Sequence, residues 1–231
     1  MENKEQWKIQ NNRFVAYLDF LGFKEYVLRN TPEKVYNVLK NLLDNAKNIE
    51  KKYFNEEKYK GKTPHIATFS DSIFIFSFDD TSISFEIIVK YVSVLMYGTM
   101  SENGLPMKGT IAHGNISVDK ENHLYCGLPL IDAYLFQEDV YYFGVVFHHS
   151  VDKFLYKKKR NIKNYIQYFF EKPTHLKSGN ITHNNVNWFI EIQNENEFNS
   201  IIKKMKTSAS GHQRKYLDNT VEMYNKIKEN I

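Results

Sequence analysis

Apolar and polar residues alternate in blocks along the first part of the chain, and these blocks predict a strand followed by helices. Residues 14–20 (FVAYLDF) form a short apolar run that contains one acid, which is typical of a strand buried on both faces. Helical spacing starts after Gly22, and a longer helix is expected from Pro32, which suits a first turn, with Thr31 as its cap. The chain is therefore expected to begin with a buried strand and two helices.

A hairpin is predicted next, after a polar and charged stretch over residues 51–62 that is expected to be an exposed loop. Its strands cover residues 64–69 and 72–78, with Ser70 and Asp71 at the turn, so a second acid stands where two strands meet. After the hairpin the pattern predicts, in order, an amphipathic helix over 84–100, a strand over 107–118 paired with 124–127, and a short helix over 129–138.

The last part of the chain is expected to form strands over 141–148, 165–171 and 186–192, then helices over 195–206 and 210–230. The order β-α-β-β-α-β is that of a ferredoxin-like α+β fold, an antiparallel sheet with helices on one face. No repeat or convincing linker divides the chain. We therefore expect one catalytic domain over residues 1–192 and a C-terminal helical extension over residues 193–231.

Composition narrows the classes of function. Thirty-one basic residues against 27 acidic ones give a net charge of +4 spread over the whole length, so nucleic acid is not an expected partner. A single cysteine excludes an internal disulfide, and no apolar run reaches 18 residues, so no membrane span is expected. The first residues are charged and lack the apolar core of a signal peptide. We expect a cytoplasmic protein.

Two aspartates are the strongest candidates for chemistry. Asp19 interrupts a strand otherwise fit for burial and Asp71 lies at a strand junction, so both can point at one spot. A buried carboxylate is costly unless it is paired or bound to a metal, which favours Mg²⁺ or Mn²⁺. The alternative is that each is an ordinary turn or strand-end acid. Beside Asp19, the backbone N–H groups of Leu21, Gly22 and Phe23 could face a phosphate at a helix start.

Four short motifs resemble those of the class III adenylyl and guanylyl cyclases. Residues 18–23 (LDFLGF) resemble the family's first metal motif, and residues 68–72 (TFSDS) resemble the second, where a strand delivers the other metal aspartate at a tight turn. Residues 108–114 (KGTIAHG) are similar to a later strand that ends in His and Gly, and residues 125–127 (YCG) to the strand and Gly before the last active-site helix. The motifs follow in the family's order, and the similarity extends over residues 14–192.

The resemblance implies a reaction and its ligands. Asp19 and Asp71 would hold two divalent ions per site, Mn²⁺ or Mg²⁺, with the Phe20 carbonyl as a further ligand, and the turn through Phe23, with Leu21 and Gly22, would bind the triphosphate. The ribose 3′-oxygen would attack the α-phosphorus and release diphosphate. Class III sites form between two protomers, so a homodimer with two equivalent sites is also implied.

One departure from the family concerns the transition state. The helix after Gly127 carries an Asn and an Arg in adenylyl and guanylyl cyclases, but Ile131 and Leu135 stand in those places here. Another cation must replace them if the protein is active. Lys108 is the first catalytic candidate, and the basic cluster over residues 157–160 and Lys215 are weaker ones.

A second departure concerns the base. Ala67 stands where a Lys or Glu reads the purine edge in classical members, and an alanine cannot form that hydrogen bond. The chain thus resembles the pyrimidine cyclases of Pycsar anti-phage defence, which make cyclic UMP or cyclic CMP for a separate effector. UTP is the expected substrate, ahead of CTP. Tyr53, or alternatively Phe54 or Tyr59, could narrow the base pocket against purines.

Two other hypotheses stay open. A divergent adenylyl or guanylyl cyclase would keep the reaction and change the base. A catalytically silent cyclase-like module would bind a nucleotide without turning it over, as the apolar Ile131 and Leu135 suggest.

Overall fold

The computed structural model describes residues 6–54, 56–158, 167–209 and 211–228. The strands and helices follow one another as β1 Gln10–Phe20, α1 Phe23–Arg29, α2 Pro32–Tyr53, β2 His65–Phe69, β3 Ser72–Phe76, α3 Ser82–Gly98, β4 Met107–Asp119, β5 Leu124–Cys126, α4 Leu128–Asp139, β6 Val145–Phe147, α5 His149–Lys158, β7 Phe169–Leu176, β8 Gly179–Val186, α6 Glu195–Ser208 and α7 Gln213–Lys228. Short single turns of helix cover Glu57–Tyr59, Thr99–Asn103 and Trp188–Glu191.

Within the described residues the strands form one sheet in the order β2-β3-β1-β4-β6-β8-β7, with β5 paired to β4. Strand β1 lies between β3 and β4 and is antiparallel to both. The α+β fold is as predicted, but the sheet is mixed, because β4 and β6 run parallel. A parallel pair needs a crossover connection, and here β5 and α4 supply it.

The two faces of the sheet carry different layers. Alternate residues of β1, such as Phe14 and Leu18, belong to the large core that includes α2, α3, α6 and α7. Tyr17, on the other face, packs with Ala133 of α4. The expectation of helices on one face only therefore needs correction, since α4 covers part of the opposite face. Asp19 lies two residues after Tyr17 on the strand and shares the α4 face.

Helix α3 is buried more completely than an amphipathic pattern predicts. The segment Ser82–Asn103 is long and apolar enough to cross a membrane by length and composition, but 72% of its apolar window is buried inside the fold. Thr81 caps the helix by accepting a hydrogen bond from the N–H of Ser84 at 3.3 Å. Most of the apolar surface of this segment is therefore packed inside the fold.

The region after β6 departs most from the prediction. The strand expected over residues 186–192 is instead β8, Gly179–Val186, followed by the helical turn Trp188–Glu191. Strand β8 (GNITHNNV) is mostly polar, so it lacks the apolar alternation that identifies a strand. The predicted strand over 165–171 begins outside the described residues, and β7 continues to Leu176. Helix α5 was not predicted.

The two C-terminal helices belong to the main core. Phe198 and Met205 of α6 and Leu217 and Met223 of α7 are buried in the same apolar cluster as β1 and α3. They are therefore packed as part of the fold, and the shared core brings α7 close to the end of β1.

Candidate functional site

The pairing of β1 with β3 brings the two aspartates to one end of the sheet. Asp19 is opposite Ser72 in the register, and the N–H of Phe20 donates to the backbone carbonyl of Asp71 at 3.2 Å. Ser70 adopts a left-handed conformation with φ of 55°, which closes the β2–β3 turn. The structure thus brings together the residues on which the sequence-based hypothesis depends.

The charges of Asp19 and Asp71 favour the binding of a divalent cation between them. The pKa of Asp19 is raised to about 6, first by burial and then by the neighbouring charge of Asp71, while Lys108 acts in the opposite direction. Two carboxylates that repel each other in a partly buried place are the hard oxygen ligands that Mg²⁺ and Mn²⁺ prefer. Among the described residues no group of three or more His, Cys, Asp and Glu forms a metal site. In the part of the chain that the structure describes, Asp19 and Asp71 are therefore the carboxylates available to a metal at this point.

The turn between β1 and α1 follows Asp19 directly. Gly22 has φ of +79°, in the left-handed region where glycine is favoured, and it precedes α1. The N–H of Leu21 donates to the carbonyl of Pro106 at 2.9 Å, so it does not face a phosphate as predicted. A phosphate at this turn would meet the N–H groups of Gly22 and Phe23.

Lys108 is opposite Asp19 on β4, but its ammonium group is occupied. Its Nζ donates to the carbonyls of Gln137 at 2.7 Å and Val140 at 3.2 Å, with that of Glu138 at 3.4 Å, and the residue is 5% exposed. Burial is the main cause that lowers its pKa to about 8. Three carbonyls at the C-terminal end of α4 use the three hydrogens of an ammonium group. This geometry favours a positioning role over the predicted catalytic one.

The aromatic residues predicted to narrow the base pocket lie elsewhere. Tyr53 lines a separate cleft between α2 and α3, and its ring centroid is 4.5 Å from Nζ of Lys90. Tyr59 is buried and donates a hydrogen bond to Glu86 of α3 at 2.5 Å. Phe54 packs against Tyr59. The prediction for Tyr53 therefore needs correction, because these rings pack against α3, in the layer on the other face of the sheet from Asp19.

Ala67 lies on the same face as Asp19, beside a cavity of about 540 Å³ at the outer edge of the sheet. It is paired with Phe74 across the β2–β3 hairpin. His65 and Tyr125 also line the cavity, and Nε2 of His65 is 3.0 Å from the Tyr125 hydroxyl. Burial lowers the pKa of His65 to about 4, with smaller contributions from nearby positive charges. Sequence reasoning missed this pair, because β5 must fold onto β4 before Tyr125 meets β2.

The apolar replacements on α4 are exposed. Ile131 and Leu135 are 54% and 57% exposed. They belong to an exposed apolar surface on this side of the sheet, which we call the α4 surface: Leu124, Leu128, Ile131, Tyr134 and Leu135. The side chains of the basic cluster over residues 157–160 lie outside the part of the chain that the structure describes.

Comparisons with known proteins identify the fold. No protein-family model matches the chain, and no curated protein sequence matches it. Solved structures do match. The catalytic core of a rhodopsin-guanylyl cyclase with converted specificity, in complex with ATPαS, has a TM-score of 0.57 at 13% identity, covering 77% of this chain and 96% of that one. The guanylate cyclase domain of RhGC from Catenaria anguillulae, in complex with GTP, has a TM-score of 0.55 at 13% identity, covering 77% and 97%.

A bacterial light-regulated adenylyl cyclase has a TM-score of 0.52 at 11% identity, covering 87% of this chain and 99% of that one. These structural neighbours are class III nucleotide cyclases. The chain therefore has the class III cyclase fold, which confirms the predicted fold class. At such identities the likeness concerns the fold alone.

Proposed function

We propose that this protein is a metal-dependent nucleotide cyclase that converts UTP, or less favourably CTP, into a 3′,5′-cyclic pyrimidine nucleotide and diphosphate. The observation that carries the proposal is the convergence of Asp19 and Asp71 at one end of a class III cyclase sheet. Electrostatic repulsion between two carboxylates is relieved when a cation binds between them.

The residues around Asp19 and Asp71 are proposed to bind the metal ions and the triphosphate. Asp19 and Asp71 hold two divalent ions, Mn²⁺ or Mg²⁺, together with the carbonyl of Phe20. The ions would supply charge neutralisation for the phosphates and the attacking oxygen. The N–H groups of Gly22 and Phe23 donate to the triphosphate and orient it.

The reaction itself needs positioning more than covalent chemistry from the protein. The ribose 3′-oxygen forms a bond to the α-phosphorus, the bond from that phosphorus to the bridging oxygen breaks, and diphosphate leaves. The proton of the 3′-hydroxyl passes to water. Lys108 keeps the C-terminal end of α4 beside Asp19, and its charge contributes to the local field.

The pyrimidine preference is supported by the cavity beside Ala67. An alanine leaves the purine edge without a partner, whereas His65 and Tyr125 offer a neutral donor and acceptor pair on the same wall. His65 stays uncharged at neutral pH because its pKa is lowered to about 4. A neutral pair suits the amide-like edge of uracil.

The α4 surface supports a homodimer. Several large apolar side chains on and beside one helix are exposed, and exposed apolar surface of this kind marks interaction sites. A self-complementary interface would cover the α4 surfaces of both protomers. We further propose that the enzyme works in the cytoplasm and that its cyclic product acts on a separate effector in antiviral defence.

The assay that tests the proposal incubates the purified protein with each of the four nucleoside triphosphates and Mn²⁺. Diphosphate release and the mass of the cyclic product identify the substrate, and we expect cyclic UMP. Asp19→Ala and Asp71→Ala should each abolish turnover and leave the fold intact. Asp44→Ala is the matched control, because that aspartate is exposed on α2, where it pairs with Lys47 at 3.6 Å. Full activity in both site variants would refute the metal assignment.

Two other functions have specific support. Structural neighbours in complex with ATPαS and GTP favour a divergent adenylyl or guanylyl cyclase, and cyclic AMP or cyclic GMP as the product would establish it. The apolar Ile131 and Leu135, together with an occupied Lys108, favour a nucleotide-binding module without chemistry. Tight triphosphate binding with no product would establish that module.

A further inference from the structure

The first turn of α7 lies directly on the turn between β1 and α1. A Cβ added to Gly22 would lie 3.3 Å from Nε2 and 3.4 Å from Oε1 of Gln213. The carboxamide of Gln213 therefore lies close to the turn that follows Asp19, in the space that a side chain at position 22 would enter. Gly22 is needed here both for its left-handed backbone and for the close approach of this side chain.

Tyr216, one helical turn further along α7, lies beside Lys108 of the same site. Its side chain is 3% exposed, and its ring centroid is 5.5 Å from Nζ of Lys108. The ring of Phe143 stacks on it with centroids 5.8 Å apart. Helix α7 thus contacts two different parts of the site, the Gly22 turn and the lysine opposite Asp19.

Hydrogen bonds hold α7 in this position. Nδ2 of Asn219 donates to the carbonyl of Tyr141 at 2.6 Å, and Oγ1 of Thr220 accepts from the N–H of Phe143 at 2.8 Å. Asn219 and Thr220 are both buried. A helix anchored through buried polar groups keeps a fixed place, because breaking those bonds would leave buried partners unsatisfied.

We propose that α7 completes the phosphate end of the site within the same chain, and that Gln213 is a positioning residue for the Gly22 turn. The inference rests on the proposed function, since it takes the Gly22 turn as the triphosphate site. Gln213 keeps the turn in the orientation in which the N–H groups of Gly22 and Phe23 face the phosphates.

Three variants test the inference. Gln213→Ala removes the carboxamide, Gln213→Glu keeps its shape and adds a negative charge beside the phosphates, and His212→Glu adds the same charge at the exposed neighbouring position. The measurements are KM and kcat for the preferred triphosphate, calorimetric binding of inorganic triphosphate with Mn²⁺, and thermal stability.

We expect Gln213→Glu to raise KM about tenfold or more, which is the effect of one extra charge some 6 Å away at an intermediate dielectric. Gln213→Ala should raise KM less, and His212→Glu less still. The affinity for inorganic triphosphate should fall by the same factors, because the turn contacts phosphate and not the base. The melting temperature of Gln213→Glu should stay close to that of the wild type.

A merely structural Gln213 would give the opposite pattern. The shape-conserving Gln213→Glu would then bind triphosphate like the wild type, and Gln213→Ala would lower only the melting temperature, which would overturn the inference. If Gln213→Glu fails to fold, the KM of Gln213→Ala tests the inference by itself: a raised KM supports it and an unchanged KM overturns it. Loss of turnover in Asp19→Ala together with unchanged Gln213 variants would overturn only the role of α7. A wild type that binds no triphosphate would overturn the proposed function as well.

Discussion

Replacing Lys108 by Met separates a positioning lysine from a catalytic one. The methionine fills a similar volume but cannot donate, so the carbonyls of Gln137 and Val140 lose a charged partner in a buried place. Each hydrogen bond to a charged group is worth about 1.5–3 kcal/mol. Against this, the pKa of Lys108 is lowered from 10.5 to about 8, mainly by burial, which corresponds to a net penalty of roughly 3 kcal/mol on its charged form. Methionine carries no charge and avoids part of this penalty.

The balance for Lys108→Met is a destabilisation of about 1–3 kcal/mol, which lowers the melting temperature by roughly 2–12 °C for a chain of this size. Thermal and urea unfolding measure this loss, with Lys24→Met on exposed α1 as the control that should stay near the wild type. Product formation should also fall, because without the Lys108 ammonium group the C-terminal end of α4 is no longer held beside Asp19. A Lys108→Met protein with unchanged stability and no turnover would refute the positioning role and restore the catalytic one.

Three further predictions concern other parts of the molecule. Gly109→Ala should prevent folding or lower the melting temperature sharply, because its Cβ would overlap the backbone of Tyr17 on β1 and lie 2.6 Å from Cδ2 of Leu18. Gly98→Ala is the control, since there is open space around Gly98 at the end of α3. Equal melting temperatures of the two variants would contradict the β1–β4 register. Ile131→Glu should convert a dimer into monomers in light scattering, and an unchanged dimer would place the interface elsewhere. His65→Gln should make folding stability less sensitive to acid. Because the pKa of His65 is lowered in the folded protein, the contribution of this residue to stability is complete above about pH 6.5 and falls as the pH drops towards 4. An identical decline of melting temperature with pH in the variant and the wild type would contradict that pKa.

The sequence predicted those parts of the fold whose signals are local. The apolar run around Asp19, the hairpin turn at Asp71 and the helix start at Pro32 each depend on a few neighbouring residues, and the structure has them all. The hairpin itself only placed Asp71 at a strand junction. Its convergence with Asp19 followed from the expectation that the hairpin pairs beside β1, and β3 does so.

Features that depend on distant contacts could not be predicted. The ammonium of Lys108 caps α4 only because β4 and α4 pack across the sheet. Tyr125 meets His65 only after β5 folds onto β4. The polar strand β8 carries no apolar alternation, and the contact of Gln213 with Gly22 joins opposite ends of the chain. In each case tertiary packing decides the environment of the residue.

Binding of Mn²⁺ in the presence of UTP, followed by electron paramagnetic resonance, tests the central claim most directly. The wild type should bind the ion with UTP, whereas Asp19→Asn and Asp71→Asn, which keep the size of the side chain and remove its charge, should each bind it at least tenfold more weakly. Unchanged Mn²⁺ affinity in both variants would contradict the account, because the two carboxylates would then not be the metal ligands.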